Sequence, residues 1–395
     1  MVFNVVLALA TTTAGAALLY ANWKLGSRQV VTIDSIDYAD LNVNLPEGDL
    51  AAKNYLITGS DNDACISPDS PFYGGFGNRE GFGERSDTIM LIRANPKEQS
   101  AAILSFPRDM WVKLAGSNRR GRINVTADTK NPNRLIRTIR ENFGIVVDHY
   151  VNIDFCAFKE IVDAVGGVRV PFRFKAQDRR TGFKVLKART CYTFQGDHAL
   201  AYVRSRHYRY FDPAKGAWVG DNQADWGRIS RQQDFTKRMI RKALDKARTN
   251  PRIASGILNA GLKNVITDDR VTPLMLLQLG QAMKNFDANT MGSYTMPGIG
   301  QLVDDMAVIV PDFESATSKK ILAVFQGRAS LVTKPGTNQP GATTTTIAPT
   351  TTQAANKTTT TVKSGSTVTT TTLPSVSIEQ NTRGLVPPDD PNCQY

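Results

Sequence analysis

The chain has 395 residues, 41% of them hydrophobic, and 48 Lys and Arg against 36 Asp and Glu, a formal charge of +12. That hydrophobic content suffices for one or two domains with a sizeable core and excludes a chain disordered throughout, while four cysteines are too few for a small disulfide scaffold. The basic surplus asks for an anionic partner (nucleic acid, membrane surface, wall polymer or phosphate-bearing substrate) without choosing among them.

In chain order, the first feature is Val2–Tyr20, "VFNVVLALATTTAGAALLY", which has no charged residue. Its length is close to the ~20 residues that cross a bilayer as a helix. A secretory signal is the rival reading, and Ala-x-Ala-like sites stand around Ala14–Ala17, but the basic n-region is missing. Residues 1–22 therefore read as an uncleaved transmembrane anchor. Lys24 and Arg28 follow the segment, an order that the positive-inside rule would associate with a body inside the cell. Residues 23–50 read as a linker.

The body spans residues 51–330. "KNYLITG" is an apolar run bounded by Gly59, and "DTIMLIRA" and "SAAILSFP" are two further strands separated by the turn-like "NPKEQ". Between the first two lies Ser67–Glu84, a long loop rich in Gly, Pro and Ser, of the kind that is mobile or functional in a compact domain. "NPNRLIRTIRENFG" spaces Leu135, Ile136, Ile139 and Phe143 as a helix does and ends at Gly144. "HYVNID" leads into the helix "FCAFKEIVDAVGG", which is followed by the strand "VRVPF". "GDHALAYV" begins like a helix, "DWGRISRQQDFTKRMIRKALDKA" is a long one, and "SYTMP" and "MAVIVP" are short strands. The alternation predicts an α/β fold, a central mixed sheet flanked by helices. From residue 331 a tail begins, with Thr runs at Thr343–Thr346, Thr358–Thr361 and Thr369–Thr372, a composition that buries no core and reads as disordered.

Cys65, Cys156, Cys191 and Cys393 show no metal spacing. Cys156 and Cys191 lie within the body and are candidates to pair; two buried free thiols are the alternative.

Ligands in open α/β sheets bind beyond the carboxyl ends of strands. Charged clusters recur near expected strand ends: Asp61 in "TGSD", Arg85 and Asp87 in "ERSDT", Arg108 and Asp109 in "SFPRD", and Arg122 in "GRIN". Each taken singly has an ordinary reading, as a turn cap or a local ion pair such as Asp87 with Arg85. Taken together, carboxylates and arginines are what a metal-bound diphosphate needs: oxygen ligands for Mg²⁺ and forked donors for phosphate oxygens. A further cluster joins "YVRSRHYRY", Tyr202–Tyr210, to "DWGRISRQQ". On a helix Arg228, Arg231 and Gln232 stand at i, i+3 and i+4, on one face. Arginine among aromatics grips nucleic acid as readily as other phosphates, but no helix-turn-helix or zinc signature supports nucleic-acid binding.

The blocks "NYLITGSD", "RSDTIMLI", "AILSFPRDMWV", "GRIN", "DHYVNIDF", "FKEIVDAVGGVRV", "GDHALAYVRSRH" and "DWGRISRQQDF" occur in the order seen in the LytR-CpsA-Psr family, which the chain resembles over roughly Asn54–Leu244, in the manner of its actinobacterial members. The resemblance implies an α/β domain on an N-terminal anchor, facing outward from the cell membrane. It implies a phosphotransferase that moves a glycopolymer from a polyprenyl-diphosphate carrier to peptidoglycan with the help of Mg²⁺. Carried over by position, Asp61 and Asp87 resemble the metal-binding aspartates, and Arg85, Arg108, Arg204, Arg206, Arg228 and Gln232 resemble the diphosphate-binding set, to which the helix spacing adds Arg231. Arg122 stands where many members have lysine. Asp87, Arg108 and Asp109 are the candidate catalytic groups, either aspartate serving as base. The chain departs from the family in having Asn62 and Asp63 where a basic residue is common, in the Ser67–Glu84 loop that separates the two metal aspartates, and in its Thr-rich tail. The alternative is a non-catalytic protein that binds polyprenyl diphosphates or wall polymer.

Overall fold

The computed structural model describes residues 30–31, 52–60, 65, 67, 69–70, 72, 86–249, 265–271, 273–283, 285–331 and 373–393. The expected anchor, Asp61, Arg85 and most of the Ser67–Glu84 loop lie outside them. Among the described residues no helix is long and apolar enough to cross a membrane.

The strands are β1 (Val30–Val31), β2 (Lys53–Ser60), β3 (Thr88–Asn95), β4 (Ser100–Phe106), β5 (Trp111–Lys113), β6 (Arg120–Arg122), β7 (His149–Asp154), β8 (Val168–Phe172), β9 (Ala176–Asp178) and β10 (Phe183–Val185), then β11 (Thr190–Phe194), β12 (Arg209–Asp212), β13 (Ala217–Gly220), β14 (Val265–Asp268), β15 (Gly292–Thr295), β16 (Gly298–Val303), β17 (Met306–Pro311), β18 (Ser330–Leu331) and β19 (Ser375–Val376). The helices are α1 (Asn133–Phe143), α2 (Phe155–Ala164), α3 (Gly196–Val203), α4 (Ala224–Thr249), α5 (Pro273–Ala282) and α6 (Ala316–Phe325).

Among the described residues seven strands form the central sheet, in the order β1-β14-β7-β2-β3-β4-β15. It is mixed: β2, β3 and β4 form an antiparallel meander, β7 runs parallel to β2, and β15 runs parallel to β4. Side chains of a strand alternate between faces, and both faces here are apolar. Leu56, Ile89, Leu91 and Leu104 pack on one side with α1 and α6. Met90, Ala101 and Ile103 pack on the other, joined by Ile240 and Leu244 of α4. Helices thus flank a central mixed sheet, as the strand–helix alternation predicts.

Caps set the helix boundaries. α1 ends at Gly144, whose φ of 64° is the left-handed conformation that glycine adopts without a Cβ penalty. The Asp154 carboxylate accepts a 2.7 Å hydrogen bond from the backbone of Ala157 and starts α2 directly at the end of β7. A third cluster, built from α2, α3, β8, β10, β11 and Phe235 of α4, forms a lobe beside the sheet. Its small sheet, β10-β9-β12-β13, escapes sequence reading because its strands have at most four residues.

Three expectations are corrected. Val30–Val31, placed in the linker, pairs parallel to β14 at the sheet edge. The cysteines pair as Cys65–Cys156 and Cys191–Cys393, not as Cys156 with Cys191. The tail expected to be disordered from residue 331 returns to the body over 373–393. There β19 pairs with β18, and Ile378 enters the main core. The Asn381 amide donates to the Thr295 carbonyl at 2.6 Å and accepts from its N–H at 2.9 Å, covering the edge strand β15. Arg383 lies 4.3 Å over the Trp226 ring. Gly384 has φ +79°, and a Cβ there would stand 2.7 Å from the Asp221 carboxylate, so the segment can press this closely against α4 only with glycine. The polar composition concealed this strap because backbone groups, one stacked guanidinium and a disulfide hold it, with few apolar side chains.

Candidate active site

The topology explains why the charged clusters meet. β3 runs antiparallel to β2 and β4, so the start of β3 and the ends of β2, β4 and β7 lie at one edge of the sheet. Asp87 precedes β3, Arg108 and Asp109 follow β4, and Asp154 ends β7. Arg204 and Arg206 arrive from the end of α3, and Asp225 and Arg228 from the first turns of α4.

Asp87 is the hub. One carboxylate oxygen accepts from Arg108 at 2.8 Å; the other accepts from Arg206 at 2.8 Å and lies 3.5 Å from Arg228. Arg228 also donates to the Asp87 backbone carbonyl at 3.0 Å. Asp225 ties the two helical contributions together, at 2.9 Å from Arg228 and 3.2 Å from Arg206. Burial by itself would push the Asp87 carboxyl up, but Arg228, Arg206 and Arg108 outweigh it and hold the group well below the usual carboxylate range. Arg206 is pulled below its ordinary value by burial and by the neighbouring Arg228. Arg108 is raised, because Asp87 and Asp109 overcome its burial. Asp109 bridges outward, 3.4 Å from Arg108 and 3.3 Å from Arg122, and Arg122 also donates to the Ala307 carbonyl at 2.8 Å.

This cage borders a cleft that is open to solvent. Its walls are mainly apolar: Ile57, Met90, Ile92 and Ile153 from the sheet, Phe155 and Phe158 from α2, Leu200 and Val203 from α3, and Met239 and Ile240 from α4. Asp87, Arg204, Arg228 and Gln232 also line it. Arg204 lies 4.4 Å over the Phe155 ring. Among the described residues the buried Nε of Arg228 has no hydrogen-bond acceptor, whereas those of Arg108 and Arg122 stand 3.4 and 3.3 Å from Asp109. The site therefore joins a cationic patch to an apolar trough.

Of the residues picked from the sequence, Asp87, Arg108, Asp109, Arg122, Arg206 and Arg228 form one linked network, and Arg204 and Gln232 line the adjoining cleft. Arg231 does not join them. It is fully buried, donating to Asp221 at 2.6 Å and to the Ser205 carbonyl at 2.8 Å, with its guanidinium 4.7 Å over the Tyr208 ring. Three residues along a helix turn the side chain ~300° and four turn it ~400°, so Arg231 and Gln232 diverge by ~100°. On a helix packed on several sides, that angle separates two compartments. Sequence reading missed the role of Asp225 and the cleft wall of α4. The wall had a signal: Arg228, Gln232, Thr236 and Ile240 recur every four residues. In "YVRSRHYRY", Tyr202 and Tyr208 are buried in the lobe core, and Arg209 is exposed on β12.

Oxygen donors suit a hard cation. Among the described residues no three His, Cys, Asp or Glu stand together as a metal-holding group.

The structure is thus an α/β sheet carrying an arginine-caged aspartate beside an apolar cleft. The LytR_cpsA_psr family model matches residues 31–322, and the chain belongs to that family. It is 30% identical over 194 residues, 49% of this chain and 58% of the relative, to polyisoprenyl-teichoic acid–peptidoglycan teichoic acid transferase TagU of Halalkalibacterium halodurans. It is 28% identical over 225 residues to the transferase TagV of Bacillus subtilis, covering 54% of this chain and 52% of the relative. The chain thus spans little more than half the length of these curated relatives. Its fold is similar to that of a LytR-Csp2A-Psr enzyme from Actinomyces oris, with a TM-score of 0.55 and 22% identity over 76% of this chain and 97% of the other.

Proposed function

We propose that this protein is a phosphotransferase that attaches a glycopolymer to peptidoglycan from a polyprenyl-diphosphate carrier. The single observation that carries the reading is the junction of cage and cleft. Five guanidiniums (Arg108, Arg122, Arg204, Arg206, Arg228) face three carboxylates (Asp87, Asp109, Asp225). Forked cationic donors at the mouth of the trough complement a diphosphate diester, which carries two negative charges. The apolar trough beside them suits the polyprenyl chain. The names of the transferase relatives support the same chemistry.

In the proposed reaction an acceptor hydroxyl attacks the phosphorus on the glycan side. The bond from that phosphorus to the bridging oxygen breaks, and polyprenyl phosphate leaves. Charge accumulates on the bridging and non-bridging oxygens, where Arg108, Arg206 and Arg228 stabilise it with little covalent work by the protein. Asp87, together with Asp61, would hold Mg²⁺, which would supply further neutralisation of the phosphate oxygens. The acceptor's proton passes to Asp87 or Asp109. The cage makes free Asp87 a weak base, and arginines drawn to the diphosphate would leave it more basic. Residues 1–22 are proposed to anchor the body outside the cell membrane, within reach of both substrates.

The test is transfer of a lipid-linked diphosphate glycan to peptidoglycan by the full chain. Arg206→Ala and Arg108→Ala are each expected to lower kcat/KM at least about a hundredfold, the effect of losing one charge-stabilising donor. Undiminished transfer in both variants would overturn the assignment. Tight binding of the donor with no product would favour a binding protein.

A further inference from the structure

The charge of this chain is concentrated. Residues 168–220, which build most of the lobe, hold twelve Lys and Arg against three Asp and no Glu, a surplus of nine out of the chain's twelve. Arg204 and Arg206 serve the cleft, and the others remain. Lys175, Lys184, Lys187, Arg189, Arg209 and Lys215 are exposed. Among the described residues none of these six has an acidic partner within ion-pair distance.

The register of the small sheet gathers several of them on one face. Lys184 pairs with Gln177, Gln177 with Arg209, and Arg209 with Gly220, one row across four strands. Phe211 and Trp218 pair two residues further along, hence on the same face. Their rings meet edge-on at 5.8 Å, and the Lys175 ammonium lies 5.9 Å from the Phe211 ring. The opposite face, with Phe183, Val185 and Ala176, is buried in the lobe core. Leu186, next to β10 and flanked by Lys184, Lys187 and Arg189, is 53% exposed.

We infer that this outer face of the lobe docks on a bilayer leaflet containing anionic phospholipid. Unpaired cations meet lipid phosphates, each adding roughly fivefold to the affinity near an anionic surface. Trp218 is an amphipathic ring of the kind enriched at the headgroup level, and Phe211 packs edge-on against it. Leu186 decides between this partner and a soluble polyanion. A phosphate polymer gains nothing from an exposed leucine ringed by cations, whereas the boundary between headgroups and acyl chains takes both. The docking does not rest on the proposed function.

The experiment places the full chain in nanodiscs of phosphatidylcholine alone or with phosphatidylglycerol and follows hydrogen exchange in peptides covering 183–189 and 209–220. Phosphatidylglycerol is expected to slow exchange in both at least about fivefold, and salt near 0.5 M to reverse it, because the Debye length then falls to roughly 4 Å. Lys184→Glu/Lys187→Glu/Arg189→Glu removes the slowing, and Leu186→Ser, which keeps every charge, reduces it. Equal exchange in the two bilayers overturns the inference. So does slowing by soluble polyphosphate with none by phosphatidylglycerol, which assigns the face to a soluble polyanion. Lipid-dependent slowing alongside undiminished transfer in Arg206→Ala and Arg108→Ala would leave the docking standing and the transferase reading refuted.

Discussion

Asp87→Asn changes one charge and almost no volume, and it tests the logic of the cage. In the native protein the carboxylate, 16% exposed, neutralises guanidiniums at 2.8, 2.8 and 3.5 Å. Removing one partner of a buried ion pair costs about 3–5 kcal/mol, since the remaining charge stays desolvated. Arg108 and Arg206 are about 30% exposed, so solvent screens part of the loss, and Asp225 and Asp109 still face them. A cost of about 2–4 kcal/mol follows, or a fall in Tm of roughly 5–10 °C for a body of this size. The pH dependence has a definite sign. The folded-state pKa of Asp87 lies below its unfolded value, so its contribution is fully present above the unfolded value near 3.8 and is lost as pH falls through the folded one. Thermal unfolding between about pH 5 and 2 should therefore show a shallower loss of stability in Asp87→Asn than in the parent chain. Binding moves the other way. Freed of their internal counter-ion, the three arginines should take up inorganic pyrophosphate at least as tightly, by calorimetry without metal, while transfer is lost. An unchanged Tm and unchanged acid slope, or weakened pyrophosphate binding, would refute the caged-aspartate account.

Arg231→Met tests the reassignment of that residue. Leaving Asp221 buried without its partner should cost about 3–5 kcal/mol in denaturant unfolding, and donor binding should persist wherever the chain stays folded. Cys393→Ser unlatches the strap from Cys191 and opens a loop of sequence separation 202; a loss of about 2–5 kcal/mol is expected, with faster hydrogen exchange confined to 373–393 and the start of α4 if release is local. His198 is pushed down to about 4 by burial, and its Nε2 accepts from the Lys184 backbone. Unfolding exposes a histidine that binds a proton more readily, so stability falls as pH drops from about 6.5 to 4; His198→Gln should flatten the unfolding curve in that window.

Much of the fold is legible in the residues. The apolar runs of β2, β3 and β4 are buried on both faces and announce central strands. Gly144 and Asp154 mark helix boundaries that the structure keeps. The arginine–aspartate clusters were also visible, because charged side chains placed just beyond apolar strands have few places to go except the sheet edge. Less was visible where local pattern is weak. Strands as short as β9 and β10 carry too few residues for alternation to register. The strap offers Thr, Pro and polar residues in place of a hydrophobic stripe, although Arg383 and Gly384 within it make close contacts with α4.

The sequence by itself determined the strand and helix periods, the fold class, the concentration of charge, the family blocks, and which arginines and aspartates were available for a phosphate site. Tertiary structure alone decided their duties. Arg228 and Arg231 are the same residue on the same helix. One reaches Asp87 because β3 starts beside it, and the other is sealed against Asp221 and Tyr208 by the lobe. Cys156 and Cys191 both lie in the body, yet each closes with a cysteine 91 or 202 positions away. Side-chain period is a local property, set by a few bonds, whereas the partner a side chain meets is set by which distant segments the packed core brings alongside it.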